Sequence, residues 1–212
     1  MEKGVALLSG GIDSPVAIHM MQNRLDVIAA HFHQEPLADK KEVEKVKELV
    51  KHLGLKKVYL IPFVPVLKAL VDKCDHKNYF ILQKILMFKS ASIIAKKEGA
   101  KALITGENLG QVSSQTLSNL KTISLHVDCE IFRPLLTFDK QEIINIAKKI
   151  ETYEISKGPE ICNLLGPKSP ATKSKPELIT KELERFDYAT FWEEALNNAD
   201  INFNKIDAVV CS

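Results

Sequence analysis

Only four cysteines occur in this 212-residue sequence, at positions 74, 129, 162 and 211, and none stands at the short paired spacing of a zinc site. That excludes a disulfide framework and leaves thiols as the expectation in a reducing compartment. The sequence also lacks any apolar run near the ~20 residues needed to span a bilayer. Met1-Glu2-Lys3 leads directly into the first apolar segment, without the features of a secretory signal. These absences predict a cytoplasmic protein with no membrane partner. Nor is there an excess of one charge: 29 Lys and Arg against 27 Asp and Glu leave a net charge of +2. Any nucleic-acid contact must therefore rest on local clusters. Internal repeats and low-complexity tracts are missing as well. What remains is 45% hydrophobic and 26% charged, an ordinary globular composition, long enough for one large domain or one domain with a small appendage.

Apolar patterning fills in the architecture. Gly4–Leu8 is a short apolar run, followed by a Ser-Gly-Gly loop and a helical period through Val16-Ala17-Ile18 and Met20-Met21. Asp26–His33 is nearly continuously apolar, as befits a strand covered on both faces. Asp39–Leu53 places Val43, Val46, Leu49, Val50 and Leu53 on one helical face, with Gly54 where a C-terminal cap belongs. A third strand reads at Lys57–Pro62, helices at Val64–Lys73 and Tyr79–Lys97, a fourth strand at Ala102–Gly106 and a fifth at Cys129–Leu135. Asp139-Lys-Gln-Glu142 has the spacing of a capping box that opens a helix to Ile150. The alternation predicts an α/β fold: a doubly wound, mainly parallel five-stranded sheet with helices on both faces. We divide it as residues 1–156, a nucleotide-binding α/β domain, and 157–212, a mobile Cys-bearing loop, a helix over 176–198 and a tail, packed on the same domain. Ile201–Ser212 has no clear assignment.

In such folds ligands bind outside the carboxyl ends of the parallel strands. The polar signals collect there, in the loop after the first strand, His31–His33, Thr105–Gln115 and Arg133-Pro134. Ser9-Gly10-Gly11-Ile12-Asp13-Ser14 between strand and helix is an anion site, because paired glycines permit close approach and the helix start presents free N–H groups. The alternative is a plain Gly-Gly turn with Ser9 or Asp13 as a helix cap. No lysine stands in the loop, so it is not a Walker loop, and it lacks the third glycine of a dinucleotide fingerprint.

Ser9-Gly-Gly-Ile-Asp-Ser-Pro-Val-Ala17 resembles the PP-loop of enzymes that transfer AMP from ATP. With His31-Phe32-His33, Thr105-Gly-Glu-Asn-Leu-Gly-Gln-Val-Ser-Ser-Gln-Thr-Leu117, Arg133-Pro-Leu135, Asp139-Lys140, Pro159-Glu-Ile-Cys162 and Lys168-Ser-Pro-Ala-Thr-Lys173, it resembles the adenylating domain of ThiI-type tRNA sulfurtransferases, the tRNA 4-thiouridine synthetases. The most specific part is Gly-Gln-Val-Ser-Ser-Gln. The resemblance runs to about residue 200 and implies a PP-loop ATPase fold.

It further implies that Leu7 and Leu8 flank the adenine side of the loop. Ser9, Gly10, Gly11, Asp13 and Ser14 would hold the pyrophosphate, His31 and Phe32 would lie beside the nucleotide, and Lys84, Gly106 and Gln115 would contact ATP. Asp13 and Lys140 take the place of an essential aspartate and lysine of adenylation, and Cys162 that of the sulfur-transfer thiol. ATP with Mg2+ is the implied cofactor set, and no residue is singled out as a metal ligand. The implied partners are tRNA and a persulfide sulfur donor protein, with a link to thiamine thiazole sulfur supply. The family's usual THUMP and rhodanese domains have no counterpart in these residues, so docking of tRNA is expected from a separate THUMP-bearing partner or a homodimer mate. Three differences from the family pattern stand out: Lys84 where Arg is expected, Glu151 where Gly is usual, and Ile161 before Cys162 where some relatives have a second cysteine. Cys211 could act as a second thiol or be inert. Two other readings stay open: adenylation of a small carbonyl or amide acceptor, and a nucleotide-binding subunit without catalysis.

Overall fold

The computed structural model describes residues 1–39, 41–158, 165–185 and 201–202. Along the chain run β1 (Glu2–Leu7), α1 (Asp13–Gln22), β2 (Leu25–His33), α2 (Lys41–His52), β3 (Lys57–Pro62), α3 (Val64–Lys73), α4 (Tyr79–Glu98), β4 (Ala102–Ile104), α5 (Leu117–Leu125), β5 (Glu130–Phe132), α6 (Lys140–Lys149), α7 (Tyr153–Ser156), α8 (Pro176–Leu183) and β6 (Ile201–Asn202). The sheet order is β5-β4-β1-β2-β3-β6. β1 to β5 pair in parallel, and β6 lies antiparallel on β3.

Because both faces of the sheet are covered, neighbouring strand residues go into different cores. Val5, Ile28, Phe32, Tyr59 and Leu103 pack with α3, α4, α5 and α8. Ala6, Val27, Ala29, Leu60 and Ile104 pack with α1, α2 and α6. This is the doubly wound arrangement expected. The sheet gains a two-residue sixth strand where no assignment was made, and the fifth strand is confined to Glu130–Phe132. The helix expected over 176–198 closes at Leu183, and residues 186–198 lie outside the described set.

Helix ends follow local chemistry. Gly54 adopts φ +64° after α2, and Asp139 and Glu142 form the full capping box of α6. At the other end of α6, Glu151 takes φ +59°, with Glu151 N–H donating to Lys148 O (3.2 Å) and Thr152 N–H to Ala147 O (2.9 Å). That is the closing motif in which glycine is favoured.

The described part of the 157–176 stretch is tied down from residue 165. Ala171 N–H donates to Lys77 O and Ser174 N–H to the Asn119 side chain, each at 2.9 Å. Thr116 Oγ1 donates to Thr172 O at 2.7 Å. Among the described residues no helix is long and apolar enough to cross a membrane.

Candidate active site

The winding direction reverses at β1, which has β2 on one side and β4 on the other, so the crevice opens where the loops after β1 and β4 meet. In the first loop, Ser9 N–H donates to Ser14 Oγ (2.9 Å), Ser14 Oγ donates to Ser9 O (3.1 Å), and Gly11 N–H donates to Ser9 Oγ (3.3 Å). The serines thus close the loop on itself. α1 starts at Asp13 with no side-chain cap, so its first-turn N–H groups remain available to an anion. The cap alternative is thereby removed.

Gly106 closes the crevice from β4. A Cβ there would lie 2.7 Å from Ser14 N and 2.8 Å from Asp13 C, a separation that only hydrogen at that position permits. A third segment arrives with α6, whose Lys140 Nζ pairs with Asp13 Oδ1 at 2.9 Å. The capping box fixes the turn from which this lysine projects. Asp13, Ser14, Gly106 and Lys140, up to 127 residues apart in sequence, therefore meet at one point.

Beneath them lies Glu107, only 2% exposed. Its Oε1 accepts from Lys84 Nζ and its Oε2 from Arg133 Nε, both at 2.8 Å. Burial would raise this carboxyl, but the attraction of Lys84 and Arg133, with their hydrogen bonds, outweighs it and holds the group below its ordinary value. Arg133 reaches on to Ser124 Oγ (3.0 Å), so α4, β4, β5 and α5 are joined at one carboxylate. Lys84, expected at ATP, here faces Glu107. Next to it, buried Asn108 donates to Leu135 O at 2.8 Å and to Phe138 O, fastening the β4 loop to the turn before α6.

His31 is buried, and burial above all pushes its pKa down to about 4. It is therefore neutral, with Nδ1–H donating to Leu8 O (2.9 Å) and a buried Nε2 without a partner among the described residues. This bond orients the strand end that leads into the loop. Leu8 is buried and Leu7 half-buried; Phe32 is a core side chain set edge-on to Phe63 at 5.1 Å. After β4, Gly110 N–H donates to Gln115 O (2.9 Å). Gln111 Nε2 and Gln115 Oε1 are buried without partners among the described residues, which leaves them hydrogen-bonding capacity for a ligand.

Cys162 and Cys211 lie outside the described residues. Cys74 and Cys129 are half-buried thiols, and burial foremost raises both, Cys74 to about 11. Neither is a thiolate at neutral pH. A groove of about 1280 Å³ runs along the β5 edge between Lys89, Lys101 and Cys129 and meets the site at Ser124 and Arg133. Two residues escaped the sequence reading. Glu107 stood inside a quoted motif without a role, although a carboxylate directly after a strand-end Thr-Gly was a usable signal. Lys45 on α2 looked like one of several solvated lysines, yet its stem lies against Gly10.

Comparison with known proteins supplies the family. The chain is 42% identical over 196 residues to a probable tRNA sulfurtransferase of Caldanaerobacter subterraneus subsp. tengcongensis, covering 89% of this chain and 52% of that protein. A probable tRNA sulfurtransferase of Acholeplasma laidlawii is 39% identical over 205 residues, covering 92% of this chain and 50% of its own. The chain thus spans about half the length of these curated relatives. Among solved structures, a 4-thiouridine synthetase–RNA complex with bound ATP superposes with a TM-score of 0.88 at 36% identity, over 93% of this chain and 54% of that one. NMN synthetase from Francisella tularensis, at 19% identity and a TM-score of 0.60, over 91% of this chain and 84% of that one, shares the fold. The profile of the thiamine biosynthesis protein (ThiI) family matches residues 1–188, most of the chain, and the chain belongs to the ThiI family.

Proposed function

We propose that this chain is the adenylating part of an ATP-dependent tRNA sulfurtransferase, activating the 4-carbonyl of a uridine for replacement by sulfur. The observation that carries this is the Asp13–Lys140 pair at the mouth of the uncapped α1, in a fold shared with a 4-thiouridine synthetase complexed with RNA and ATP. The uracil oxygen attacks the α-phosphorus, and the bond from that phosphorus to the pyrophosphate oxygen breaks. Negative charge grows on the leaving group, where the α1 N–H groups and Lys140 face it. A sulfur nucleophile then adds to the activated carbon, and AMP departs with the former carbonyl oxygen.

Asp13 holds Lys140 in place before the nucleotide arrives. Among the described residues no cluster of three or more His, Cys, Asp or Glu forms a metal cage. Magnesium needs none when phosphates supply most of its ligands, and Asp13 is the carboxylate that fits beside it. The ion would neutralise charge on the phosphates.

The match of Pro159-Glu-Ile-Cys162 to the family pattern assigns the transferring sulfur to Cys162, charged by a persulfide donor protein. Docking of tRNA is assigned to a THUMP-bearing module outside these residues. The test is incubation of the protein with ATP, Mg2+, sulfide, bulk tRNA and the THUMP-bearing part of a relative supplied in trans, followed by nucleoside analysis. ATP-dependent 4-thiouridine supports the reading; equal turnover of ATP without RNA, and no thiolated nucleoside, overturns it.

A further inference from the structure

We propose that Lys45 is a further phosphate-binding residue of this site, reaching from α2 to the pyrophosphate portion of ATP as Lys140 reaches from α6. The inference rests on the reading of the Ser9–Ser14 loop as an ATP site.

Three observations carry it. A Cβ built on Gly10 would lie 3.1 Å from Lys45 Cδ and 3.9 Å from Nζ. The lysine stem therefore crosses the glycine of the phosphate loop and sets its ammonium beside the loop backbone. That ammonium feels the Glu42 carboxylate through space but closes on no strong partner. Its hydrogen bond to Ser156 O is long, at 3.5 Å, and no carboxylate among the described residues is within ion-pair distance. The helix offers alternatives, with Glu42 and Glu48 three residues to either side, where helical neighbours ordinarily pair. Glu42 even keeps a buried Oε2 without a hydrogen-bond partner. Lys45 instead extends toward the loop, and toward Gly158, whose Cβ position is 3.7 Å from Nζ. A compact ammonium on a flexible stem is suited to gathering phosphate oxygens as a point charge.

A purely structural lysine would serve only to offset the Glu42 carboxylate and to cover Gly10. The two roles separate in binding. The probes are inorganic pyrophosphate, ATP and AMP, each titrated calorimetrically with Mg2+ into wild type, Lys45→Met and Lys45→Arg, with thermal melts of each protein. Losing one charge-assisted phosphate contact weakens pyrophosphate and ATP by about 10- to 100-fold. AMP, which lacks the outer phosphates, keeps its affinity within about twofold, and Lys45→Arg retains most of the pyrophosphate affinity. Lys45→Met with unchanged pyrophosphate affinity, or with equal losses for AMP and pyrophosphate, overturns the assignment. If Lys45→Met does not fold, Lys45→Arg and Lys45→Gln decide between the same outcomes. Failure of the wild type to bind ATP would overturn the loop reading itself, a result distinct from either.

Discussion

Gly106→Ala tests how closely the two crevice loops are seated. Its methyl carbon would stand 2.7 Å from Ser14 N, 2.8 Å from Asp13 C and 3.0 Å from Asp13 O. Favourable non-bonded separations for carbon are roughly 3.5–4.0 Å, so the β4 end and the phosphate loop must part by close to an ångström. The neighbours are backbone, not the ends of flexible side chains, and no rotamer change relieves the overlap. Overpacking of this kind costs about 1–3 kcal/mol. If the loop yields, the cost appears in nucleotide binding, where 1.4 kcal/mol is tenfold, and ATP affinity falls about 5- to 150-fold. If the body of the domain yields instead, the melting temperature falls by roughly 2–12 °C. The atoms met are the Asp13 and Ser14 backbone at the phosphate end of α1, so we expect the larger share in binding. Calorimetric titration with ATP and thermal melts measure both. Affinity within twofold of wild type together with an unchanged melting temperature would refute the close seating of β4 on the loop.

Glu107→Gln leaves Lys84 and Arg133 facing an uncharged amide, and removing one member of a buried ion cluster costs about 3–5 kcal/mol, readable as a lowered urea midpoint. Because the folded-state value of Glu107 is depressed, its contribution is present above the ordinary value of 4.5 and is lost as the pH falls through the folded value. Between pH 5 and pH 3 the wild type should lose stability more steeply than Glu107→Gln; parallel curves would exclude this role. Glu151→Gly should stabilise by about 0.5–1 kcal/mol in urea, since the left-handed conformation costs an L-residue about 1–2 kcal/mol and the added chain entropy of glycine offsets part of it. ATP affinity should stay unchanged, and destabilisation would contradict the strained helix end.

What could be read in the sequence was whatever rests on local pattern. Gly54, the Asp139–Glu142 capping box and the Ser-Gly-Gly loop each act within a few residues, so their spacing alone located them. Covered strands such as Asp26–His33 announced themselves by continuous apolarity, which is why the order of the five parallel elements was legible. The pairing of Ile201–Asn202 with β3 was not, because two residues carry no periodicity. Contacts between distant segments were equally hidden. Nothing near position 107 indicates that Lys84 and Arg133 will meet there, and nothing near position 45 indicates that its stem will cross Gly10. The resemblance placed Lys84 at ATP by position, and only the fold shows that its ammonium also pairs with Glu107.

The central claim is that the crevice joins the uracil oxygen to the α-phosphorus of ATP. Its most direct test uses tRNA carrying ¹⁸O at the 4-carbonyl of the target uridine, incubated with the protein, a THUMP-bearing module supplied in trans, ATP, Mg2+ and sulfide, with mass analysis of the released nucleotide. The account predicts AMP containing one ¹⁸O for each 4-thiouridine formed, and pyrophosphate containing none. Thiolated tRNA accompanied by unlabelled AMP, or by ADP and phosphate, would contradict it.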